Sequence, residues 1–206
     1  MKIAIPKERR AGEQRVAASP ETVKKLKAMG IDVVIETEAG LGSAVTDSAF
    51  ASAGATIAPG AAAALSDADL VLKVRAPMTV ADGGADEVAL LKRGAILAGI
   101  LDPWRLGRTA DALAAAGVTA FAMDFVPRIT RAQAMDVLSS QSNLAGYRAV
   151  IDAASVYGRA FPMMMTAAGT VAPARVCILG AGVAGLQAIA TARRLGAVVS
   201  AFDVRR

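Results

Sequence analysis

The feature that most constrains the fold lies between residues 175 and 203. The apolar run Arg175-Val176-Cys177-Ile178-Leu179 leads directly into Gly180-Ala181-Gly182-Val183-Ala184-Gly185, a G-x-G-x-x-G pattern. A helix-like segment, 186–195, then stops at Gly196, and a second apolar run ends on Asp203. The order of strand, glycine-rich turn, helix, strand and acid is the context in which this pattern marks a dinucleotide site.

Each glycine of the pattern has a predicted physical role. Gly180 permits the tight turn, Gly182 lets the backbone approach a pyrophosphate, and Gly185 allows the helix to pack on the strand. The N–H groups and the positive dipole end of the helix would then face the phosphates. The alternative is a βαβ unit that is tightened by glycine and binds nothing.

The acid at the end of the second strand predicts which nucleotide binds. Asp203 follows Gly185 by 18 residues, close to the roughly 20 at which an acid accepts a ribose 2′-hydroxyl. An acid there repels a 2′-phosphate, so the pattern favours NAD(H), although Arg205 and Arg206 weaken that preference. Because the chain ends soon after Asp203 and a parallel sheet needs further strands, we expect the second domain to be incomplete in this chain.

Composition limits the class of protein. The chain of 206 residues has room for one or two domains, and its 54% hydrophobic content suits the buried strands and helices of an α/β protein. We predict no transmembrane segment, since the window poorest in charge, 176–192, contains the three glycines and is interpreted as a buried strand and helix. No signal peptide is recognisable, so a cytoplasmic location is expected.

Charge and cysteine content bear on other functions. The net charge of +5 comes from scattered basic clusters with which the aromatic residues do not alternate, so nucleic-acid binding is not predicted. Cys177, which lies within a predicted strand, is interpreted as a buried structural thiol. No metal site is predicted.

A repeating unit organises the rest of the chain. An apolar helix, a glycine, an apolar strand and an acid recur three times, with Gly30, Gly117 and Gly196 as the helix stops. Ser19 and Pro20 are predicted to begin the first of these helices. The alternation predicts an α/β fold with two Rossmann-like, doubly wound parallel-sheet domains.

The pattern also suggests where the domains divide. Residues 1–129, with strand-like segments at 68–74 and 95–101 and a helix-like segment at 86–93, are predicted to form an N-terminal Rossmann-like domain. This domain lacks its own G-x-G-x-x-G and should therefore hold substrate or a partner. Residues 130–206 are predicted to contain a bridging helix and the start of the nucleotide-binding domain.

The predicted bridging helix, from Thr130 to Gly158, carries polar residues at helical spacing. They form one stripe: Gln133, Asp136, Ser140, Asn143 and Tyr147. Ligands of such proteins bind between domains and at the carboxyl ends of strands, which makes the stripe a candidate ligand surface. Two other interpretations remain: a solvated helix face, and a capping box at the start of the helix.

Four blocks of the sequence resemble one family over nearly the whole chain. They are 3–8 with Glu13-x-Arg15-Val16-Ala17, then 128–150, 163–171 and 182–190. They are similar to the NAD(H)-binding first component, in the alpha subunit, of proton-translocating nicotinamide nucleotide transhydrogenase. The resemblance implies that this chain holds NADH and passes hydride to NADP+ on a separate NADP(H)-binding component.

The resemblance further implies a membrane-spanning component that couples this transfer to proton translocation. It implies a homodimer, placed as a peripheral protein on the cytoplasmic side of the inner membrane. Since hydride passes directly between two nicotinamides, no protein acid or base is required. Positioning and exclusion of water would supply the rate.

Site residues also follow from the resemblance. Gln133, Arg128 and Asp136 would act in hydride transfer: Gln133 would bond the nicotinamide ribose, and the other two would form a polar pair that fixes the ring, assisted by Ser139. The remaining cofactor-binding residues would be Gly180, Ala181, Gly182, Val183 and Gly185 near the pyrophosphate, with Asp203, Val204 and Arg205 near the adenosine.

Two alternatives stay open. In the related alanine dehydrogenase type, an arginine and a lysine grip the substrate carboxylate, and Arg15 and Lys73 occupy the matching positions. That reaction needs a proton acceptor, which the relatives supply with histidine, whereas this chain has no histidine and Asp102 stands near the matching strand end. The second alternative is a truncated, inactive chain.

Overall fold

The computed structural model describes residues 1–204. It divides into two compact units, the first covering Met1–Val126 and the second beginning at Pro127. None of the helices in this described part is both long and apolar enough to cross a membrane.

The first unit is built on a six-stranded parallel sheet. Its strands, in chain order, are β1 (Lys2–Ile5), β2 (Asp32–Glu36), β3 (Thr56–Ala58), β4 (Leu70–Arg75), β5 (Ile96–Ile100) and β6 (Thr119–Ala122). Their spatial order is β3-β2-β1-β4-β5-β6, and every pair is parallel. This is the Rossmann order, with the chain reversing direction across the sheet between β1 and β4, so the predicted fold class is confirmed.

Helices cover both faces of this sheet. They are α1 (Pro20–Ala28), α2 (Asp47–Ser52), α3 (Ala61–Leu65) and α4 (Arg108–Ala115). Alternate residues of β1 point to opposite faces: Ile3 and Ile5 join a core with Val23 and Phe50, whereas Ala4 joins one with Leu65, Val71, Leu97 and Leu113. Burial on both faces explains why these strands read as continuous apolar runs.

As far as residue 204, the second unit contains two α-helices and two small sheets. Its elements are a 3₁₀ segment (Thr130–Met135), α5 (Val137–Val156), β7 (Met164–Thr166), β8 (Gly169–Val171), β9 (Arg175–Leu179), α6 (Val183–Arg194) and β10 (Val198–Phe202). Strands β9 and β10 pair in parallel with α6 as their connection, and β7 and β8 form an antiparallel hairpin. Helix α5 packs on α6.

The predicted helix boundaries hold where a glycine or a cap defines them. Gly30, Gly117 and Gly196 all have positive φ, between 68° and 84°, so each can end its helix in the left-handed conformation that glycine adopts at no steric cost. Ser19 caps α1, because its side chain accepts a hydrogen bond from Thr22 N.

Two predicted helices are wrong in part. The continuous helix from 130 to 158 is interrupted at Asp136, whose ψ of 85° is not helical and whose side chain caps α5 by accepting from Ser139 N. The predicted helix at 86–93 is reduced to a 3₁₀ turn at Val88–Leu90. There the buried Glu87 side chain accepts from Met78 N and Lys73 Nζ, which fixes the loop in another shape.

The prediction for Cys177 is also wrong. The thiol is exposed, because β9 buries only alternate residues. Val176 and Ile178 pack toward the core of the second unit, and Cys177 lies on the opposite face of the strand. No described element covers that face, so the strand in the window 176–192 is not buried on both sides as expected.

Candidate functional site

A cavity of about 890 Å³ opens at the carboxyl end of β9 in the second unit. Its lining comes from the 3₁₀ segment, the first turns of α5 and α6, and the glycine-rich turn. The lining residues are Arg128, Gln133, Asp136, Ser139, Ser142, Leu179, Gly180, Gly182, Val183, Ala184 and Gly185. The carboxyl edge of parallel strands is the usual place for a ligand in an α/β fold.

The glycine-rich turn has the geometry that its sequence predicts. Gly180 has φ of +100°, which disfavours any other residue there. A Cβ on Gly185 would lie 1.8 Å from Gly180 O, so only glycine lets α6 come this close to the end of β9. These two positions therefore fix the turn and the helix start that follows it.

The start of α6 presents backbone donors to the cavity. Gly182 is the N-cap and supplies no side-chain hydrogen bond, and the first intrahelical bond described runs from Leu186 N to Gly182 O at 2.8 Å. The N–H groups of Val183, Ala184 and Gly185 precede that bond and have no partner within the helix. Together with the helix dipole they favour an anion at this position.

Three polar side chains form a network on the opposite wall. Asp136 accepts hydrogen bonds from Ser139 N at 2.9 Å and from Ser139 Oγ at 2.6 Å. Arg128 donates to Ser139 Oγ at 3.2 Å, and its Nε lies 3.8 Å from Asp136 Oδ2. The Ser139 hydroxyl, the Ser139 N–H and the Arg128 charge together lower the pKa of Asp136, so it is ionised at neutral pH.

Gln133 lines the same cavity on a different element. It belongs to the 3₁₀ segment and not to α5, so the predicted polar stripe is interrupted. Of its five residues, Ser140, Asn143 and Tyr147 lie within α5. The side-chain amide of Gln133 makes no hydrogen bond to any other residue in 1–204 and is exposed. Of the other stripe residues, Asn143 donates to Gln187 on α6 at 3.3 Å.

The close packing of α5 on α6 sets the width of the cavity. A Cβ on Gly146 would lie 2.0 Å from Ala184 O, and Ala184 itself lines the cavity. Gly146 was not singled out from the sequence, because a glycine within a helix gives no sign of what it will face. Only the packing of the two helices identifies it.

Asp203 lies just beyond β10 and contacts the turn. Its Oδ2 accepts a hydrogen bond from Ala181 N at 2.6 Å, which fastens the glycine-rich turn to the second strand. Neither Asp203 nor Ala181 is among the residues that line the cavity. Val204 is 90% exposed, and Arg205 lies outside the described residues.

Most of the predicted site residues thus lie around one cavity. Sequence reasoning missed Ser142, Leu179 and Ala184, which also line it. Ser142 follows Ser139 by three residues on α5 and therefore shares its face of the helix. That spacing was available in the sequence once the correct start of α5 was known.

In the first unit, the two cations that match a carboxylate grip are already paired. Lys73 Nζ lies 3.0 Å from Glu87 and 3.4 Å from Glu8, and its side chain is 2% exposed. Arg15 makes a two-pronged ion pair with Glu13, at 2.7 and 2.6 Å. Among the described residues no group of His, Cys, Asp and Glu is arranged to hold a metal ion.

The strand order and the glycine-rich turn define a Rossmann-like α/β protein. Family models described as alanine dehydrogenase/PNT match it in two regions, the N-terminal domain over residues 4–145 and the C-terminal domain over residues 149–206. The chain belongs to the alanine dehydrogenase/PNT family.

Transhydrogenase subunits and alanine dehydrogenases are both similar to this chain. The chain is 64% identical over 205 residues to the first part of the NAD(P) transhydrogenase alpha subunit of Rhodospirillum rubrum, covering 100% of this chain and 53% of that protein. A solved transhydrogenase structure from Sinorhizobium meliloti matches with a TM-score of 0.93 and 56% identity, over 100% of this chain and 59% of that one. Alanine dehydrogenase of Mycobacterium tuberculosis is 36% identical over 213 residues, covering 99% of this chain and 54% of that protein. The chain thus spans about half the length of the curated relatives it matches.

Proposed function

We propose that this chain belongs to the NAD(H)-binding component of a proton-translocating transhydrogenase. The observation that carries the proposal is the cavity in which the glycine-rich turn, the start of α6 and the Arg128–Asp136–Ser139 network meet. The higher identity to the transhydrogenase subunit than to alanine dehydrogenase supports it.

The residues present fit a dinucleotide. The space that a Cβ on Gly185 would fill is occupied by Gly180 O, so the turn has the compact form that lets a pyrophosphate approach backbone. Gly180, Ala181, Gly182, Val183 and Gly185 would surround the pyrophosphate. The α6 dipole and the N–H groups of Val183 and Gly185 would hold it, because Gly180 N and Ala181 N already donate to Phe202 O and Asp203 Oδ2. When bound, the dinucleotide supplies the hydride.

Arg128, Gln133, Asp136 and Ser139 would bind the nicotinamide end. The amide of Gln133, which has no partner in 1–204, is available to bond a ribose hydroxyl. Asp136 holds Ser139 in place at 2.6 Å, and the pair holds Arg128, so the ring would meet a prearranged polar wall. Such prearrangement lowers the entropy lost on reaching the reactive geometry.

Asp203 would select NAD(H) against NADP(H). A carboxylate accepts about four hydrogen bonds, so the bond from Ala181 N is compatible with a further one from a ribose hydroxyl. The negative charge opposes a 2′-phosphate. Val204 and Arg205 would flank the adenosine.

Two observations make amino-acid oxidation the weaker hypothesis. The sequence contains no histidine, and the buried Lys73 has two carboxylates beside its ammonium group, which leaves it unavailable to a substrate carboxylate. Oxidation of an amine needs a proton acceptor, and Asp102 forms an exposed ion pair with Arg105 at 3.8 Å.

We also propose what the whole assembly does. The chain would act as a homodimer with an NADP(H)-binding component and a membrane-spanning component, peripheral to the cytoplasmic side of the inner membrane. Hydride transfer from NADH to NADP+ on the partner would be coupled there to proton translocation. The division between residues 129 and 130 would separate its two domains.

Titration with NADH and NADPH, followed by the fluorescence of reduced nicotinamide, tests the proposal. We expect saturable NADH binding that is at least tenfold tighter than NADPH binding. Asp203→Asn keeps an oxygen for Ala181 N and removes the charge, so it should narrow that preference without abolishing binding. Asp67→Asn, at an exposed position in the first unit, is the matched control. Absence of saturable NADH binding by the folded chain would contradict the proposal.

A further inference from the structure

A pair of amide side chains bridges the two helices that form walls of the large cavity in the second unit. The Nδ2 group of Asn143, on α5, donates a hydrogen bond to Gln187 Oε1, on α6, at 3.3 Å. Neither residue lines the cavity, so neither would touch the nucleotide. The bridge can therefore influence binding only through the arrangement of the two helices.

The Gln187 side chain is held at both of its amide atoms. Its Oε1 accepts from Asn143, and its Nε2 donates to Thr191 Oγ1 at 3.2 Å. The Thr191 hydroxyl in turn donates to Gln187 O at 2.8 Å, and Thr191 is 4% exposed. Ordering a glutamine side chain costs conformational entropy, and a glutamine that only solvates a helix face needs no such anchor. Thr191 thus fixes Gln187 in the direction of α5.

The bridge lies one helical turn away from a point at which the backbones of α5 and α6 are in close contact. At that point a Cβ on Gly146 would lie 2.0 Å from Ala184 O. Asn143 precedes Gly146 by three residues, and Gln187 follows Ala184 by three, so each partner of the bridge is a neighbour of the contact on its own helix. Contact at one point lets two helices pivot about it. A second contact one turn away limits the pivoting, because a hydrogen bond requires a defined distance and angle.

Other packing of these helices is apolar and does not fix an angle in the same way. Val150 on α5 and Ala188 and Ala192 on α6 are buried in one core cluster. Burial of apolar surface is favourable but non-directional, so it holds the helices together without selecting one rotation. The amide bridge supplies the missing direction.

The angle between the helices matters because each carries part of the proposed nucleotide site. The first turn of α5 carries Ser139, whose hydroxyl donates to Asp136 at 2.6 Å and accepts from Arg128. The first turn of α6 carries the N–H groups that would face the pyrophosphate. A ligand that spans both parts needs them at one fixed separation, and a pivot of α6 would change that separation.

We propose that Gln187 is a positioning residue for the dinucleotide, which acts through Asn143 to hold the start of α6 and the Ser139 network at the separation that one ligand requires. This inference rests on the proposed binding of NAD(H). The bridge should matter for a ligand that contacts both helices and matter little for a ligand that contacts α6 alone. A bond that served only the stability of the fold would affect both ligands equally.

Titration with NADH, followed by the fluorescence of reduced nicotinamide, tests this inference. Gln187→Met keeps the length of the side chain and removes its amide. We expect NADH to bind about fivefold more weakly, the effect of one neutral hydrogen bond. The affinity for ADP, which lacks the nicotinamide ribose, should fall less than about twofold when it is measured by displacement of NADH. Gln14→Met makes the same substitution at an exposed position of the first unit and should leave both affinities unchanged.

An exchange of the two amides tests whether the bridge itself is responsible. Gln187→Asn shortens the side chain on α6 by one methylene group and should bind NADH as weakly as Gln187→Met. Asn143→Gln combined with Gln187→Asn restores the summed length of the pair, and we expect NADH affinity to return to within about twofold of that of the parent chain.

Three results would overturn the inference: unchanged NADH affinity in Gln187→Met, equal losses for NADH and ADP, or no recovery in the exchange variant. Each of them is observed against a parent chain that binds NADH, so the proposed function would stand. A parent chain that fails to bind NADH would contradict the proposed function itself, and the two failures are thereby distinguishable.

Discussion

The carboxyl ends of β1 and β9 are followed by turns of opposite character. After β1 the chain places charged residues, and Glu8 meets Lys73 from β4 with both side chains 2% exposed. After β9 it places glycines, and the space around them remains an open cavity of about 890 Å³. The same edge of a parallel sheet is thus closed by ions in one unit and kept open by the lack of side chains in the other.

The charged closure after β1 and the open turn after β9 are maintained by different interactions. The charged closure depends on pairing, since a buried ion without its partner is strongly destabilising. The open turn depends on the absence of side-chain atoms, since a single methyl group at Gly185 would overlap Gly180 O. Variants at each end therefore separate the two mechanisms.

Removal of the buried cation should have the largest effect on stability. Lys73→Met leaves Glu8 buried without an ion-pair partner and leaves Glu87 with only its longer ion-pair contact, 3.4 Å, to Arg9, and we expect a loss of about 3–5 kcal/mol from the free energy of unfolding. Urea unfolding followed by the fluorescence of Trp104, the single tryptophan, reports on the first unit. Lys92→Met removes an exposed ion pair with Asp69 and should leave the midpoint of urea unfolding almost unchanged. Equal effects of both variants would refute the closure by buried charge.

A methyl group in the glycine-rich turn should mainly abolish binding. In Gly185→Ala the new Cβ must move away from Gly180 O, which costs about 3 kcal/mol of stability by overpacking and displaces the start of α6. We expect NADH affinity to fall at least a hundredfold in the same fluorescence titration. Gly158→Ala, where a Cβ meets nothing within 4 Å, should bind as the parent does. Unchanged affinity in Gly185→Ala would show that the turn does not hold the nucleotide.

A methyl group between α5 and α6 should have a smaller effect. Gly146→Ala places a Cβ where Ala184 O lies 2.0 Å away, so the helices must separate by about 1 Å or more to reach the 3.0 Å at which real Cβ contacts begin. We expect about 1–3 kcal/mol of destabilisation and roughly tenfold weaker NADH binding, because the walls of the cavity move. Tryptophan fluorescence of the first unit should not change. A stability loss with unaltered affinity would mean that the cavity adapts to this shift.

The smallest effect is on pH dependence, and it should have opposite signs in the two units. Burial raises the pKa of Glu8 despite the nearby Lys73 charge, so the folded state takes up a proton more readily there. That contribution favours folding at low pH and is lost as pH rises through the raised pKa. Hydrogen bonds from Ser139 and the Arg128 charge lower the pKa of Asp136. Its contribution is present above the ordinary value near 3.8 and is lost as pH falls below it.

Two variants isolate these contributions between pH 3 and 7. Glu8→Gln should flatten the pH dependence of Trp104-detected unfolding, and Asp136→Asn, which still caps α5, should flatten that of amide exchange in residues 137–156 after correction for intrinsic rates. If the contributions of Glu8 and Asp136 to stability changed with pH in the same direction, the comparison between the two units would be contradicted.

Local signals explain which predictions succeeded. The glycine stops at Gly30, Gly117 and Gly196 depend on backbone conformation alone, and all three have positive φ. Apolar runs that are bounded by turn residues predicted seven of the strands: β1, β2, β4, β5, β6, β9 and β10. The short β3 and the β7–β8 hairpin were not predicted, since three-residue strands carry too little pattern.

Other features depended on contacts with distant residues. The break at Asp136 is local by contrast: its side chain accepts a hydrogen bond from Ser139 N and so begins α5, and helical periodicity does not reveal this cap. Cys177 became exposed because nothing described packs on its side of β9. Gly146 and Ser142 acquired their roles only when α5 met α6.

The sequence by itself determined the class of fold, the position of the glycine-rich turn and the family resemblance, because each depends on residues close together along the chain. The tertiary structure alone decided which polar groups share a cavity and which are sealed. Lys73 and Glu87 are 14 residues apart and join as a buried pair, and Asp203 reaches Ala181 across 22. Burial and long-range pairing arise from packing in three dimensions, and local spacing does not encode them.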